Sequence, residues 1–338
     1  MSPKLVIGAN GFLGSHVTRQ LVQAGHRVRI MVRRNAATTG IDDLHTERYI
    51  GDIGDDDTLT AAMTGCDDVY YCVVDARGWL VDPTPLYRTN VEGTRNVLDV
   101  ATAVHREHPF RRFVYTSSYA TVNRRRGRVA TEADEITEEF RLTDYVRTRL
   151  IAERAVLARA REGALPAVAM CVSTTYGAGD WGRTPHGAII AGAAFGKLPF
   201  VLGGVAAEAV GVDDAARAMI LAAERGRAGE RYLISEKMIS NAEVVRIAAE
   251  TVGVPPPGKQ LPVPAASVLA ALGTVKARLR GSDERLTLNA LRLMRAEAPV
   301  DCAKAERELG WRPGPVEDAI GEAARWWVRS RAAPRRAR

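Results

Sequence analysis

Tyr145 and Arg149 lie four residues apart in a stretch with helical character, so both project from one helical face. A phenol ionises near pH 10 unaided and is a poor acid or base at neutrality. A fixed cation beside it favours the phenolate, so the pair could move a proton. Spacing alone favours a plainer reading, an ordinary aromatic beside a surface arginine, because the same helix carries Arg147, Glu153 and Arg154. A second polar group, Thr116-Ser117-Ser118, follows the β-like run Arg112-Phe113-Val114-Tyr115. Hydroxyls just past a strand are placed either to contact a carbonyl oxygen or to bond nearby backbone in a turn.

A third stretch organises the rest: Gly8-Ala9-Asn10-Gly11-Phe12-Leu13-Gly14, between the apolar run Lys4–Ile7 and a helix-patterned segment from Ser15 to Val22. Strand, tight glycine turn and helix form the setting of a dinucleotide fingerprint. Gly8 allows the turn, Gly11 lets backbone approach a pyrophosphate, and Gly14 lets helix pack on strand. The helix start offers free N–H groups to the phosphates, with Asn10, Phe12 and Leu13 in the same contact. The spacing predicts a bound dinucleotide. Arg33 and Arg34 end the second strand, Arg27 to Val32, where an acid would bind the ribose 2′-hydroxyl of NAD. Arginine there accommodates a 2′-phosphate, which favours NADP, with NAD the alternative and Arg33 the better placed of the two. Asp52 and Ile53 follow the third strand and face the expected adenine region, although Asp52 equally suits a turn cap. Val73 ends the strand Asp68 to Val74, beside a buried spectator thiol, Cys72.

The elements that hold these residues alternate strand and helix as far as Val172, which predicts an α/β fold: a Rossmann-type, doubly wound parallel sheet with a smaller mixed α/β C-terminal lobe. We assign residues 1–172 and parts of 205–230 to the dinucleotide-binding domain. Residues 173–204 and 231–315 form the substrate lobe, 316–328 a terminal helix and 329–338 a basic tail. Trp79, Thr174, Trp181, His186 and Phe195 are placed to line a substrate cleft, with His186 better suited to a loop or cap than to a catalytic base. Asp213-Asp214 reads as the cap of a helix from Ala215 to Arg225. The apolar stretch Leu261 to Val275, broken by Pro262 and Pro264, reads as a buried or substrate-covering helix.

The chain has 338 residues, 46% hydrophobic and 26% charged, within the range of globular enzymes. Its four cysteines form no CxxC pair, so neither a metal site nor a disulfide framework is expected, and a reduced, cytoplasmic setting is the simpler reading. No signal peptide opens the sequence and no apolar run has the length of a membrane span, so stable membrane insertion is not expected. The net charge of +7 is concentrated in Arg124-Arg125-Arg126-Gly127-Arg128 and in the C-terminal tail. No nucleic-acid-binding motif accompanies either run, so no nucleic-acid partner is expected.

The sequence resembles the extended short-chain dehydrogenase/reductase family. The three-and-three glycine spacing is that family's form, and Tyr87-Arg88-Thr89-Asn90-Val91-Glu92-Gly93-Thr94 is similar to another of its motifs. Arg112 to Asn123 and Ser173 to Asp180 resemble the dihydroflavonol-reductase-like and hydroxysteroid-dehydrogenase-like branches, including hopanoid-associated sugar epimerases. The resemblance implies a Ser–Tyr–Lys constellation at Ser118, Tyr145 and position 149, and a structural or proton-relay role for Asn90. It adds Asn90 and Thr116 to the cofactor contacts, with Tyr145 and Arg149 touching both cofactor and chemistry. Tyr145 would exchange the substrate proton, Ser118 would hold the substrate oxygen, and position 149 would hold the nicotinamide ribose. Two residues depart from the pattern: Arg149 stands for the lysine and Val172 for a proline. The implied activity is NADP-dependent hydride transfer with a hydrophobic ketone, aldehyde or secondary alcohol, by a monomer or homodimer. A nucleotide-sugar epimerase or dehydratase, using Arg124-Arg125-Arg126 for a diphosphate, and a non-catalytic dinucleotide-binding protein are the alternatives.

Overall fold

The computed structural model describes residues 2–123, 127–137, 142–280, 284–294 and 298–332. Short β-branched and aromatic runs build the central sheet: β1 (Lys4–Ile7), β2 (Val28–Val32), β3 (Glu47–Ile50), β4 (Asp68–Tyr71), β5 (Arg112–Ser118) and β6 (Ala167–Val172). Three small strands follow, β7 (Thr174–Tyr176), β8 (Val201–Leu202) and β9 (Ala206–Gly211), and then β10 (Arg231–Ile234). The order β3-β2-β1-β4-β5-β6-β10 is parallel throughout. Apart from the exposed edge strand β3, these strands are buried on both faces and read as largely apolar runs, as parallel strands do.

Helices cover both faces. The first, α1 (Phe12–Gln23), follows the glycine turn. Then come α2 (Asp56–Met63), α3 (Thr84–Tyr87), a π-helical turn (Arg88–Gly93), α4 (Thr94–Glu107), α5 (Asp144–Arg161), α6 (Pro185–Ala194) and α7 (Val212–Arg225). Apolar residues of α2, α4 and α5 bury one face of the sheet, and those of α1 and α7 bury the other. The chain leaves β1 toward β2 and β3, then crosses back to β4 on the other side. The glycine turn therefore sits where the strand order reverses, the place at which open α/β sheets open a crevice for ligands.

The remaining elements are β11 (Lys237–Ser240), α8 (Asn241–Thr251), β12 (Gln260–Leu261), α9 (Val263–Arg280), α10 (Leu288–Met294), α11 (Ala303–Leu309) and α12 (Val316–Ala332). Strands β11, β9 and β7 form a small sheet, and β12 pairs with β8. Residues 231–234 thus belong to the main sheet, not to the smaller lobe where the sequence put them: Arg231 to Ile234 pair in register with Ala169 to Val172.

Two local expectations need correction. Helix α7 starts at Val212, with Gly211 at its N-cap and no side-chain cap. Asp213 turns instead to His16 Nδ1 at 2.7 Å, and Asp214 accepts from Gly314 N at 2.9 Å. Helix α9 is helical as expected but not covered: Val268, Leu269, Leu272 and Val275 are exposed. Among the described residues, no helix is long and apolar enough to cross a membrane.

Candidate active site

The glycine turn is tight because nothing larger fits. Gly8 has φ +84°, a region that disfavours side chains, and a Cβ there would lie 2.9 Å from Val73 Cγ2. A Cβ on Gly14 would come within 2.2 Å of the Gly8 carbonyl oxygen. Asn10, Gly11, Phe12 and Leu13 form the half-buried rim. Helix α1 begins at Gly11 without a side-chain cap, whereas α2, α5, α6 and α8 are capped by Asp55, Thr143, Thr184 and Ser240. Its first N–H groups therefore need another acceptor.

Arg33 and Arg34 extend from the end of β2, exposed, and their guanidinium groups have no hydrogen-bond or ion-pair partner among the described residues. Asp52 is exposed and accepts from Gly54 N at 3.3 Å, a local turn contact. Ile53 packs so tightly on Gly93 that a Cβ there would meet its Cδ1 at 2.3 Å. Asn90 is fully buried, and its amide is committed: Oδ1 accepts from Asp75 N at 2.9 Å, and Nδ2 donates to Asp75 O at 3.0 Å and Thr148 Oγ1 at 3.3 Å. It ties the loop after β4 to α5, the structural half of its expected role.

Strand β5 delivers Thr116, Ser117 and Ser118 to the C-terminal end of the sheet, where Ser118 aligns with Val172. Ser118 is buried and its Oγ accepts from Ala120 N at 3.2 Å. Tyr145 is in the first turn of α5, which Thr143 caps, and it packs with Leu142 and Leu293 against Ala120, Ile136, Val146 and Leu150. The fold thus packs Tyr145 on the cluster that contains Ala120, two residues beyond Ser118.

Arg149 is not the surface arginine that spacing favoured: its exposure is 0%. Its guanidinium lies 5.1 Å from the centroid of the Tyr115 ring, and Nη2 donates to Thr116 O. Nε and Nη1 are buried and have no hydrogen-bond partner. Tyr115 Oη, Thr116 Oγ1 and Ser173 Oγ are orphaned in the same way. Buried unsatisfied groups are rare in native proteins, and here several gather at the adjacent ends of β5 and β6.

One turn further along α5, Glu153 was noticed in the sequence only as a surface charge. It is 1% exposed and accepts from Ser117 Oγ, from Thr121 Oγ1 at 2.7 Å, from Cys171 Sγ at 3.2 Å and from Arg231 Nη1 at 2.9 Å. The single Thr121 hydroxyl proton is shared between Glu153 and Ser118 O, which lies 2.7 Å from Oγ1, so the network reaches the Ser118 backbone. The i,i+4 relation to Arg149 was the available signal that both face the sheet. Cys72 lies beside this end of the sheet, and burial pushes its thiol up to about 12, so it stays protonated.

The residues expected to line a cleft are held by different elements. Trp79 is half-buried beneath Arg285, and its carbonyl accepts from Thr287 Oγ1 at 2.8 Å. Thr174 is buried in β7. Trp181 packs edge-on against Trp326 of α12, at 4.9 Å between centroids, and Phe195 lies under Arg331 of the same helix. His186, in the first turn of α6, meets Tyr176 edge-on, and burial pushes its imidazole down to about 4. Leu293 of α10 instead reaches the Tyr145 side, at Gly78. A cavity of about 670 Å³ opens elsewhere, at the β10 edge, among Glu132, Arg154, Arg161, Glu230 and Lys304. Arg124, Arg125 and Arg126, and the tail arginines 335, 336 and 338, lie outside the described residues.

A glycine turn at the switch point of a parallel sheet, with a serine, tyrosine and buried cation at its carboxyl ends, defines a class of dinucleotide-dependent enzymes. The chain belongs to the NAD dependent epimerase/dehydratase family, whose model matches residues 4–235, and is an extended short-chain dehydrogenase/reductase. It is 32% identical to 2-alkyl-3-oxoalkanoate reductase of Stenotrophomonas maltophilia over 74% of this chain and 76% of that protein. It is 27% identical to sterol demethylase protein B of Methylococcus capsulatus, over 96% and 97% of the two chains. The solved structure of gox2253 superposes with a TM-score of 0.83 at 33% identity, covering 98% and 99% of the two chains.

Proposed function

We propose that this enzyme is an NADP-dependent oxidoreductase that interconverts an apolar ketone or aldehyde and the corresponding alcohol, with Tyr145 as the acid or base. The observation that carries the reading is the buried Arg149 guanidinium, with two unused donors one helical turn from Tyr145. A pyridine dinucleotide fits these residues: the uncapped start of α1 would take the pyrophosphate, the orphaned donors of Arg149 the nicotinamide ribose, and Arg33 with Arg34 the 2′-phosphate. When bound, the cofactor supplies the hydride that moves between its nicotinamide ring and the substrate carbon. Ser118 Oγ would donate to the substrate oxygen and fix its position. Tyr145 Oη would hand that oxygen a proton in reduction and take one in oxidation. Arg149 would hold the ribose in register with Tyr145, one helical turn away.

An apolar substrate suits the surroundings of Tyr145, which are Ala120, Ile136, Leu142, Val146, Leu150 and Leu293. Relatives named for a sterol and an oxoalkanoate point the same way. The test is single-turnover absorbance of the reduced cofactor with a panel of aliphatic, aromatic and steroid-like ketones, for wild type and Tyr145→Phe. Turnover by wild type and its loss in the variant are expected. Equal rates, or activity confined to nucleotide sugars, would overturn the reading.

A further inference from the structure

Helix α9 turns its amphipathic pattern inside out. The residues facing the protein are Ala266, Ala270 and Ala277, with Gly273 so close to the Leu286 carbonyl that a Cβ would come within 2.1 Å of it. The large side chains face solvent: Val268 is 63% exposed, Leu272 63% and Leu279 81%, with Val275 and Leu269 also open. Five of the nine exposed large apolar side chains among the described residues are on this one helix. At about 100° per residue, Val268, Leu272, Val275 and Leu279 fall within about 60° of arc, opposite the small residues. Lys276 and Arg278 fall about 80° to either side of that stripe, and Arg280 lies beside Lys276. All three cations are exposed, Lys276 pairs with Glu284, and the helix itself contains no acid. Surface helices of globular proteins normally bury their large residues, and contiguous exposed apolar surface marks an interaction site.

We propose that α9 docks the enzyme peripherally on an anionic lipid surface. The Val268–Leu272–Val275–Leu279 stripe lies in the acyl boundary, and Lys276, Arg278 and Arg280 lie among the headgroups. An apolar stripe bordered on both sides by cations is the pattern of an interfacial helix. A second copy of the chain fits less well, since neither α9 would bring an acid to the other's cations. The inner face of α9 packs on Leu291 of α10, and Leu293 of α10 reaches the Tyr145 side, so α10 links the docked helix to the reacting end. On the proposed apolar-substrate reading, that contact would deliver substrate from the bilayer.

The test is co-sedimentation of the full chain with vesicles of phosphatidylcholine alone, or with about one third phosphatidylglycerol. Wild type should bind the anionic vesicles and lose binding at high salt. Leu272→Ser with Leu279→Ser should weaken binding at least about tenfold. Lys276→Gln with Arg278→Gln should weaken it roughly fivefold per charge. All these residues are exposed, and an unchanged melting temperature confirms that the variants fold. Absence of binding by wild type, or equal binding to neutral vesicles, overturns the proposal. A concentration-dependent dimer that the Leu→Ser pair abolishes, without vesicle binding, would assign the stripe to a second copy. Tyr145→Phe should bind vesicles like wild type, so loss of the catalytic reading would leave this result standing.

Discussion

Arg149 and Glu153 are one turn apart on α5 and equally hidden from water, yet their surroundings are opposite. The carboxylate of Glu153 is saturated by two hydroxyls, a thiol and the Arg231 guanidinium. The guanidinium of Arg149 has one backbone carbonyl, one aromatic face and two idle donors. A buried charge with all its partners present is scaffold: its network joins α5, β5, β6 and the edge strand β10. A buried charge without them has a desolvation cost that the protein alone does not offset. On the proposed reading such a group is kept for the hydroxyls of a nicotinamide ribose. The contrast separates structure from function within a single helix, and substitutions can break it.

The largest effect is expected at Tyr145, on the idle side. Tyr145→Phe removes the proton-bearing oxygen and little volume, so turnover should fall by about 10²–10⁴-fold while the dissociation constant for cofactor stays near wild type. Parallel losses of turnover and cofactor affinity would instead make Tyr145 a binding residue.

On the saturated side the effect should appear in stability. Glu153→Gln leaves the Arg231 guanidinium, 12% exposed at its side chain, without its carboxylate, and should cost about 3–5 kcal/mol in urea unfolding. Arg149→Met should behave in the opposite way. Without cofactor it should stay within about 1 kcal/mol of wild type, because the uncompensated charge leaves with the side chain. The rise in melting temperature on adding cofactor, which measures binding to the native state, should shrink. If Arg149→Met unfolds the protein as readily as Glu153→Gln, both charges are scaffold.

The sequence conveyed one side of this contrast better than the other. The glycine turn, β6 and the start of α5 were legible because period, spacing and punctuation are local signals. Spacing alone reads Arg149 and Glu153 as surface charges, because hydrophobic periodicity counts apolar residues; the family resemblance puts Arg149 in the site and leaves Glu153 out. Periodicity misses charges satisfied by Ser117, Thr121 and Arg231, which are 36, 32 and 78 residues away. Strand β10 was misplaced for a related reason: a four-residue apolar run does not reveal which neighbour it will pair with. In α9 the apolar composition reads as a buried or substrate-covering helix, because composition does not tell that the small residues face inward and the large ones outward.

A smaller effect should appear at the adenosine end. Replacing both Arg33 and Arg34 with alanine should reduce the preference for NADP over NAD by about ten- to a hundredfold, since charge-assisted bonds are worth roughly 1.5–3 kcal/mol. Both side chains are exposed, so the preference should also decline with salt, and stability should barely change. Calorimetric titration with each cofactor measures it. An unchanged preference would remove the 2′-phosphate from these arginines.

The smallest effect tests a third kind of buried group, one that escapes its desolvation cost by shedding charge. Burial pushes the His186 imidazole down to about 4 from its ordinary 6.5, so it is neutral across the working range. In the unfolded chain it would take a proton as pH falls through 6.5, whereas in the native protein it takes one only near 4. Between those values the unfolded state binds more protons, so stability should decline as pH falls and recover fully above 6.5. The limiting slope is about 1.4 kcal/mol per pH unit, and partial solvent access at His186 should keep the measured slope well below it. His186→Phe keeps a ring against Tyr176, at 6.1 Å between centroids, and cannot titrate. The stability difference between wild type and His186→Phe should therefore shift in favour of the variant as pH falls from 7 to 4. A difference independent of pH would mean that the imidazole titrates alike in the folded and unfolded states and carries no burial cost.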